Sequence, residues 1–217
     1  MLSAELKAIA DEYYTSLSRS PEAQQKPQFC LCVIGLVGAG KSTVLRKIAN
    51  HLPIIRVSGD EVRKMIYEKG LPEVSAEILA EMNAITVSRL VGEGYRFAYD
   101  NDFAHPDIRS IMLAERQKSS VPVFWIRVAP PEQFILNKLR AHPQPTHLFK
   151  STDEAITRYY QRKELHTAQA AELARLPYLY TFDTSAPDLD EQVAAAVRII
   201  TERTGHPYHM FESQIQG

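Results

Sequence analysis

Six apolar residues, Phe29 to Ile34, run without a break into Gly35-Leu36-Val37-Gly38-Ala39-Gly40-Lys41-Ser42-Thr43, and that turn opens onto Val44-Leu45-Arg46-Lys47-Ile48-Ala49. A short continuous apolar run suits a strand buried on both faces, and the segment after the turn has helical spacing. Between them Gly35, Gly40, Lys41 and Ser42 complete the spacing G-x-x-x-x-G-K-[ST] of a phosphate-binding loop. The strand delivers the chain to a turn where backbone N–H groups converge on one anion. Glycine permits that backbone because it reaches positive φ and leaves room for phosphate oxygens. A helix starting near Lys41 adds unpaired N–H groups and the positive end of its dipole. Gly35, Gly38, Ala39, Gly40, Lys41, Ser42 and Thr43 are therefore the expected nucleotide-binding residues. Lys41 is expected on the β- and γ-phosphates and the Ser42 hydroxyl on Mg²⁺, a metal that takes few protein oxygens beside phosphate and water.

The remaining composition narrows the setting. A chain of 217 residues, 45% hydrophobic and 24% charged, suits one soluble domain with a sizeable core, with or without a small lid. The formal net charge of −1 supplies no global field for a polyanion, which disfavours nucleic acid as a partner. No apolar run is long enough to span a bilayer, and the N-terminus lacks the pattern of a signal peptide. Cys30 and Cys32 share one face of the first strand, where they cannot bridge without distortion. They are expected as buried, reduced core residues in a cytoplasmic protein.

Along the chain, Leu6, Ile9, Ala10, Tyr13, Tyr14 and Leu17 predict an amphipathic helix over 4–18, followed by a polar loop to residue 28. Ile54 to Val57 reads as a second strand. Ser58 and Glu61 fit a capping box, predicting a helix that stops near Gly70. A helix over 75–91, a strand over 95–99, a helix opening at Pro106 with Ile108, Ile111 and Met112 inward, and a strand over 121–128 follow. A helix over 131–141 precedes an irregular Pro-rich stretch. Ser151 and Glu154 form a second capping box that predicts one long helix to about Arg175. A fifth strand over 178–182 and a helix over 188–203 complete the pattern, with a tail over 205–217 that shows no periodicity. Alternating strands and helices predict an α/β fold with a mainly parallel sheet covered on both faces. Ligands in such sheets bind at the carboxyl ends of strands. That directs attention to Asp60, to Asp100 and Asp102, to the stretch after Val128, and to Asp183-Thr184-Ser185.

Asp60 and Arg63 stand three apart at a helix start and share a face, so they would offer a carboxylate and a guanidinium to one small space. A phosphoryl acceptor needs a carboxylate that orients its hydroxyl and cations that hold the transferring oxygens. Asp100 follows an apolar strand, the position expected of a metal-side acid, with Asp102 a rival for the same role or for the acceptor. Arg109, one turn into the next helix, is a further substrate candidate. Residues 138–166 carry Lys138, Arg140, Lys150, Arg158, Arg162 and Lys163 around a Pro-rich loop and are expected to form a lid over the phosphates. Asn137-Lys138-Leu139-Arg140 begins like the guanine-reading N-K-x-D but lacks the Asp.

The phosphate loop, Ser58-Gly59-Asp60-Glu61-Val62-Arg63, and Asp100-Asn101-Asp102-Phe103 with Arg109 beyond resemble the small P-loop kinases. That group includes polynucleotide 5′-kinase, zeta toxin, chloramphenicol phosphotransferase, gluconate kinase and adenylylsulfate kinase. The likeness spans roughly residues 29–200, leaving an N-terminal helix and loop (1–28) and the tail outside it. The resemblance implies a single P-loop NTPase domain with a three-layer sandwich, a five-stranded parallel sheet in nucleoside-kinase order, a helical lid, an ATP site and a Mg²⁺ requirement. It implies Asp60 as general base, Arg63 as a cation on substrate or phosphate, and Arg140 with Lys138 as lid cations. The expected activity is transfer of the γ-phosphate of ATP to a hydroxyl of a small molecule. A polynucleotide 5′-hydroxyl kinase, a toxin-like kinase of nucleotide-sugars and a non-catalytic nucleotide switch are the rival readings. Nothing in the sequence fixes an oligomeric state.

Overall fold

In β1 (Cys30–Ile34), every residue is buried, and side chains alternate between two separate cores. Cys30, Cys32 and Ile34 face one core, Leu31 and Val33 the other, as the two-residue period of a strand requires. This is a computed structural model, and it describes residues 2–24, 26–106, 108–110 and 120–205. Around β1 stand β2 (Ile55–Ser58), β3 (Phe97–Asp100), β4 (Val123–Val128) and β5 (Tyr178–Phe182), in the order β2-β3-β1-β4-β5, all pairs parallel. β1 pairs with β3 from Cys30↔Phe97 and with β4 from Cys30↔Val123, so these strand ends lie level on one edge.

Helices cover both faces. α1 (Ala4–Ser16) packs against α3 (Gly59–Glu68) and α4 (Ala76–Gly92) on the face that carries Cys32 and Trp125. On the opposite face lie α2 (Lys41–Ala49), α5 (Glu132–Ala141), α6 (Thr152–Ala168) and α8 (Leu189–Thr204), with a short α7 (Ala170–Ala174) preceding β5. Leu45 and Ile48 of α2 are fully buried there, and truncating either to Ala should cost about 2–5 kcal/mol.

Local chemistry sets the helix ends. Ser3, Ser75 and Ser151 cap their helices through side-chain oxygens that accept from Leu6, Ile78 and Glu154 N–H. α3 ends where Gly70 adopts φ 69°, with Gly70 N–H bonded to Tyr67 O and Leu71 N–H to Ile66 O. That arrangement satisfies the last carbonyls and needs a residue free to enter the left-handed region.

The structure differs from the sequence expectations in four places. The capping box at Ser58 does not form, because Glu61 is drawn to Arg56 instead. In the box at Ser151, Glu154 Oε2 accepts from Lys150 N–H at 2.6 Å rather than from the cap residue. The long helix expected to Arg175 breaks at Gln169, whose side chain is taken by Arg109. The third strand starts later than expected and extends through Asp100. Ile111 and Met112, and the tail beyond Gly205, lie outside the described residues.

Candidate active site

The phosphate loop is held from three sides. Ala39 N–H bonds back to Leu36 O at 3.1 Å, and Thr184 after β5 donates its hydroxyl to Ala39 O at 2.6 Å. Gly38 has φ 78°, and a Cβ there would meet Ile135 and Leu139 of α5 at 3.0–3.1 Å, so glycine is required on two counts. α2 begins with Thr43 and Val44 N–H bonded to Gly40 O, which leaves the N–H groups at its first residues, Lys41 and Ser42, without intrahelical acceptors. The Lys41 ammonium bonds Gly35 O at 2.8 Å and Leu36 O at 3.1 Å, which folds it over the loop. The result is a concave set of donors at a helix N-terminus, suited to a polyphosphate.

The loop forms one end of a cavity of about 610 Å³. Asp60 and Arg63, near the start of α3, line the same cavity and touch each other at 3.4 Å between Oδ1 and Nη1. The Arg63 Nε is buried with no hydrogen-bond partner, so part of its donor set is left for a ligand. From the side, α5 and α6 and the loop between them bring Lys138, Lys150, Arg158 and Arg162 to the same space. Burial holds the Lys138 ammonium below its usual pKa, and the charges of Arg46 and Lys41 push the same way.

The two acids after β3 have different surroundings. Asp100, at the strand end, is 7% exposed and its Oδ2 is paired with Arg56 Nη1 of the neighbouring strand at 2.9 Å. Arg56 also reaches Glu61 on α3, so one guanidinium ties β2, β3 and α3 together. The Tyr13 hydroxyl from α1 caps the same junction, accepting from Ser58 N–H at 2.7 Å. Burial pushes that phenol up to about 12. Asp102 lies past the strand end. Its Oδ1 takes His166 Nε2 at 3.0 Å and Ala104 N–H at 3.2 Å, while Oδ2 is buried and unpartnered. Burial alone would raise this carboxyl, but the His166 bond and the nearby Lys41 charge more than offset it and hold it below the usual range.

The structure gathers Gly38, Gly40, Lys41, Ser42, Thr43, Asp60, Arg63, Asp100, Asp102 and Lys138 around one cavity. Gly35 and Ala39 shape the loop from behind. Two candidates fall elsewhere. Arg109 turns inward, donating to Phe103 O at 2.9 Å, Ala104 O at 2.7 Å and Gln169 Oε1 at 3.0 Å, so it builds the loop after β3 rather than a substrate contact. Arg140 sits on the exposed side of α5, one helical position beyond the inward Leu139 and outside the cavity lining. Arg158 and Arg162, which lie one turn apart on α6, do line the cavity. Arg56, Tyr13 and His166 were not marked in the sequence as site residues. A charged Arg inside the second strand was the available signal for the first; the other two sit in ordinary helical patterns.

Three solved kinases share this architecture. A gluconokinase from Sinorhizobium meliloti aligns over 83% of this chain and 96% of its own, at 17% identity and a TM-score of 0.55. A shikimate kinase from Acinetobacter baumannii, in complex with shikimate, aligns over 84% and 98%, at 13% identity and a TM-score of 0.55. A sugar kinase from Janibacter aligns over 84% and 100%, at 16% identity and a TM-score of 0.53. At such identities the likeness is one of fold, an α/β P-loop sandwich with a parallel sheet. No curated protein matches the chain significantly. The family match covers residues 31–166, from the first strand through the phosphate loop and both acidic stretches into α6, and the chain therefore belongs to the AAA domain family.

Proposed function

We propose that the protein is an ATP- and Mg²⁺-dependent kinase that transfers the γ-phosphate to a hydroxyl of a small molecule. The observation that carries this is one cavity lined by both the phosphate loop and the Asp60–Arg63 pair, with Lys138, Arg158 and Arg162 in the same lining. Its fold neighbours described as gluconate, shikimate and sugar kinases support the same reading.

In this mechanism the loop N–H groups and the Lys41 ammonium hold the β- and γ-phosphates. Asp60 accepts a hydrogen bond from the acceptor hydroxyl and orients its oxygen toward the γ-phosphorus. As the new O–P bond forms, the bond to the β-phosphate oxygen breaks, ADP leaves, and the hydroxyl proton passes to Asp60 and on to solvent. Because the phosphoryl transition state is loose, orientation matters more than early deprotonation. Arg63, Arg158 and Arg162 offset charge on the transferring oxygens. Mg²⁺ would be held by the Ser42 hydroxyl and by Asp102, residues that both line the cavity, with Asp102 Oδ2 buried and without a hydrogen-bond partner. When bound it would offset negative charge on the phosphates. Asp100 serves the Arg56 junction instead.

The test is ADP release measured with Mg²⁺ and a panel of alcohols. Acceptor-dependent release that Lys41→Ala abolishes supports the reading. Failure of ATP·Mg²⁺ to bind, measured by calorimetry, removes it.

A further inference from the structure

Little holds the Asp60 side chain itself. It is 55% exposed and makes one long contact, to Arg63 at 3.4 Å. A misplacement of about 1 Å can cost a catalytic group about 10²-fold, so the aim of this carboxylate has to come from its backbone. One side chain from another helix grips that backbone on both sides of Asp60. Tyr13 of α1 accepts from Ser58 N–H at 2.7 Å, two residues before Asp60, and donates to Glu61 Oε2 at 3.5 Å, one residue after it. The Tyr13 side chain is 2% exposed, so water does not compete for these contacts. The other oxygen of Glu61 is paired with Arg56, which Asp100 holds in turn at 2.9 Å. Between the two grips, Gly59 lies so close to α4 that a Cβ there would meet Asn83 Nδ2 and Leu79 Cδ2 at 3.3 Å. With no side-chain cap from Ser58, the start of α3 takes its place from α1, α4 and β2.

Building on the kinase reading above, we propose that Tyr13 is a positioning residue for Asp60, and that α1, which precedes the region of the family match, is a working part of the acceptor site. Tyr13 does not line the cavity, so it acts through Ser58 N–H and Glu61 rather than on the substrate. Its hydroxyl limits the freedom of the Ser58–Glu61 backbone, and Asp60 is thereby set before the acceptor arrives.

The experiment compares the wild type with Tyr13→Phe, which keeps the ring and removes the hydroxyl, and with Ile9→Val, which loosens the buried face of α1 and leaves the hydroxyl in place. Hydrogen exchange comes first, without nucleotide or acceptor, and does not depend on the kinase reading. Amides over residues 58–63 should exchange about tenfold faster in Tyr13→Phe, relative to those of α2, with no such change in Ile9→Val. ATP·Mg²⁺ binding is then measured by calorimetry, and ADP release and phosphate-ester formation are followed with gluconate, shikimate and glucose. Tyr13→Phe should lower kcat for transfer about tenfold, with ATP·Mg²⁺ affinity and hydrolysis by water near wild type. In an Asp60→Asn background it should lower transfer no further, because the group it positions is gone. Ile9→Val should leave the ratio of transfer to hydrolysis unchanged. Unchanged exchange around Asp60, a parallel fall in transfer and hydrolysis, or an equal loss of transfer in the Asp60→Asn background overturns the inference. A wild type that binds no ATP·Mg²⁺, or that releases no ADP in response to any of these acceptors, counts against the kinase reading instead, and exchange alone then decides whether Tyr13 fixes this backbone. Should Tyr13→Phe lose its cooperative melt, Glu61→Gln replaces it. That variant removes the charge held by both Arg56 and the phenol, and the same fall in transfer relative to hydrolysis is expected.

Discussion

His166 Nε2 lies 3.0 Å from Asp102 Oδ1, so the last turn of α6 is fastened to the loop that follows β3. Three residues on, Gln169 is fastened to the same loop through Arg109. The lid helix is thus anchored at its far end, and the loop over residues 142–150 hangs between that anchor and α5. His166→Ala leaves one buried oxygen of Asp102 without its side-chain donor, a loss of about 1–3 kcal/mol. Trypsin cleavage at Lys150 should speed up several-fold and acceptor-dependent turnover should fall. Unchanged cleavage would mean that the contact does not restrain the lid.

Tyr13→Phe tests the part played by α1. The phenol titrates near 12 in the folded chain against 10.0 for the unperturbed group, so its stabilisation is complete below pH 10 and is lost as pH rises through 12. Two units correspond to about 2–3 kcal/mol. Denaturant melts at pH 9 and pH 11.5 should therefore show a smaller loss for Tyr13→Phe than for the wild type. The variant should also be less stable at pH 8, since Ser58 N–H loses its acceptor. Parallel losses in the two proteins would contradict this.

Asp100 and Asp102 should separate cleanly. Asp102→Asn should raise the Mg²⁺ concentration needed for half-maximal turnover severalfold, with little change in folding. Asp100→Asn should leave Mg²⁺ dependence unaltered but cost about 2–3 kcal/mol of stability, because Arg56 is left partly unpaired in a half-buried junction. Magnesium titrations and melts of both variants decide; reversed phenotypes would return the metal to Asp100.

Arg140→Ala should be silent in kcat, since the side chain is exposed and outside the cavity. Arg158→Ala and Arg162→Ala should each lower kcat by about tenfold or more with smaller effects on ATP affinity, the pattern of a group that acts mainly in the transition state. Steady-state kinetics on the three variants check this.

Much of this arrangement was legible in the residues. The apolar run, the glycine spacing and the alternation of strand and helix patterns led to the sheet, its parallel sense and the phosphate loop, because those depend on local rules. Where the side chains go instead depends on tertiary partners. Glu61 has the spacing of a capping residue, yet a guanidinium from the preceding strand outcompetes the backbone N–H. Arg109 has the spacing of a cleft residue, yet the carbonyls of Phe103 and Ala104 lie within its reach and take it inward. Arg140 and Leu139 are adjacent in sequence, and the helical period sends one inward and the other to solvent. Ile108 has the spacing of an inward helix position, and it takes the fold to bring it to the cavity wall.

The central claim is that Asp60 orients the acceptor hydroxyl for attack on the γ-phosphorus, and Asp60→Asn tests it most directly. Asn keeps the shape and removes the charge, on a side chain that is more than half exposed and makes one long contact, to Arg63. Folding and ATP·Mg²⁺ affinity should stay near wild type. Single-turnover transfer to the acceptor should fall on the order of 10²-fold or more, the usual scale for a positioned acid–base group. Hydrolysis of ATP by water should fall less. Transfer at the wild-type rate, with ATP·Mg²⁺ bound normally, would contradict the account.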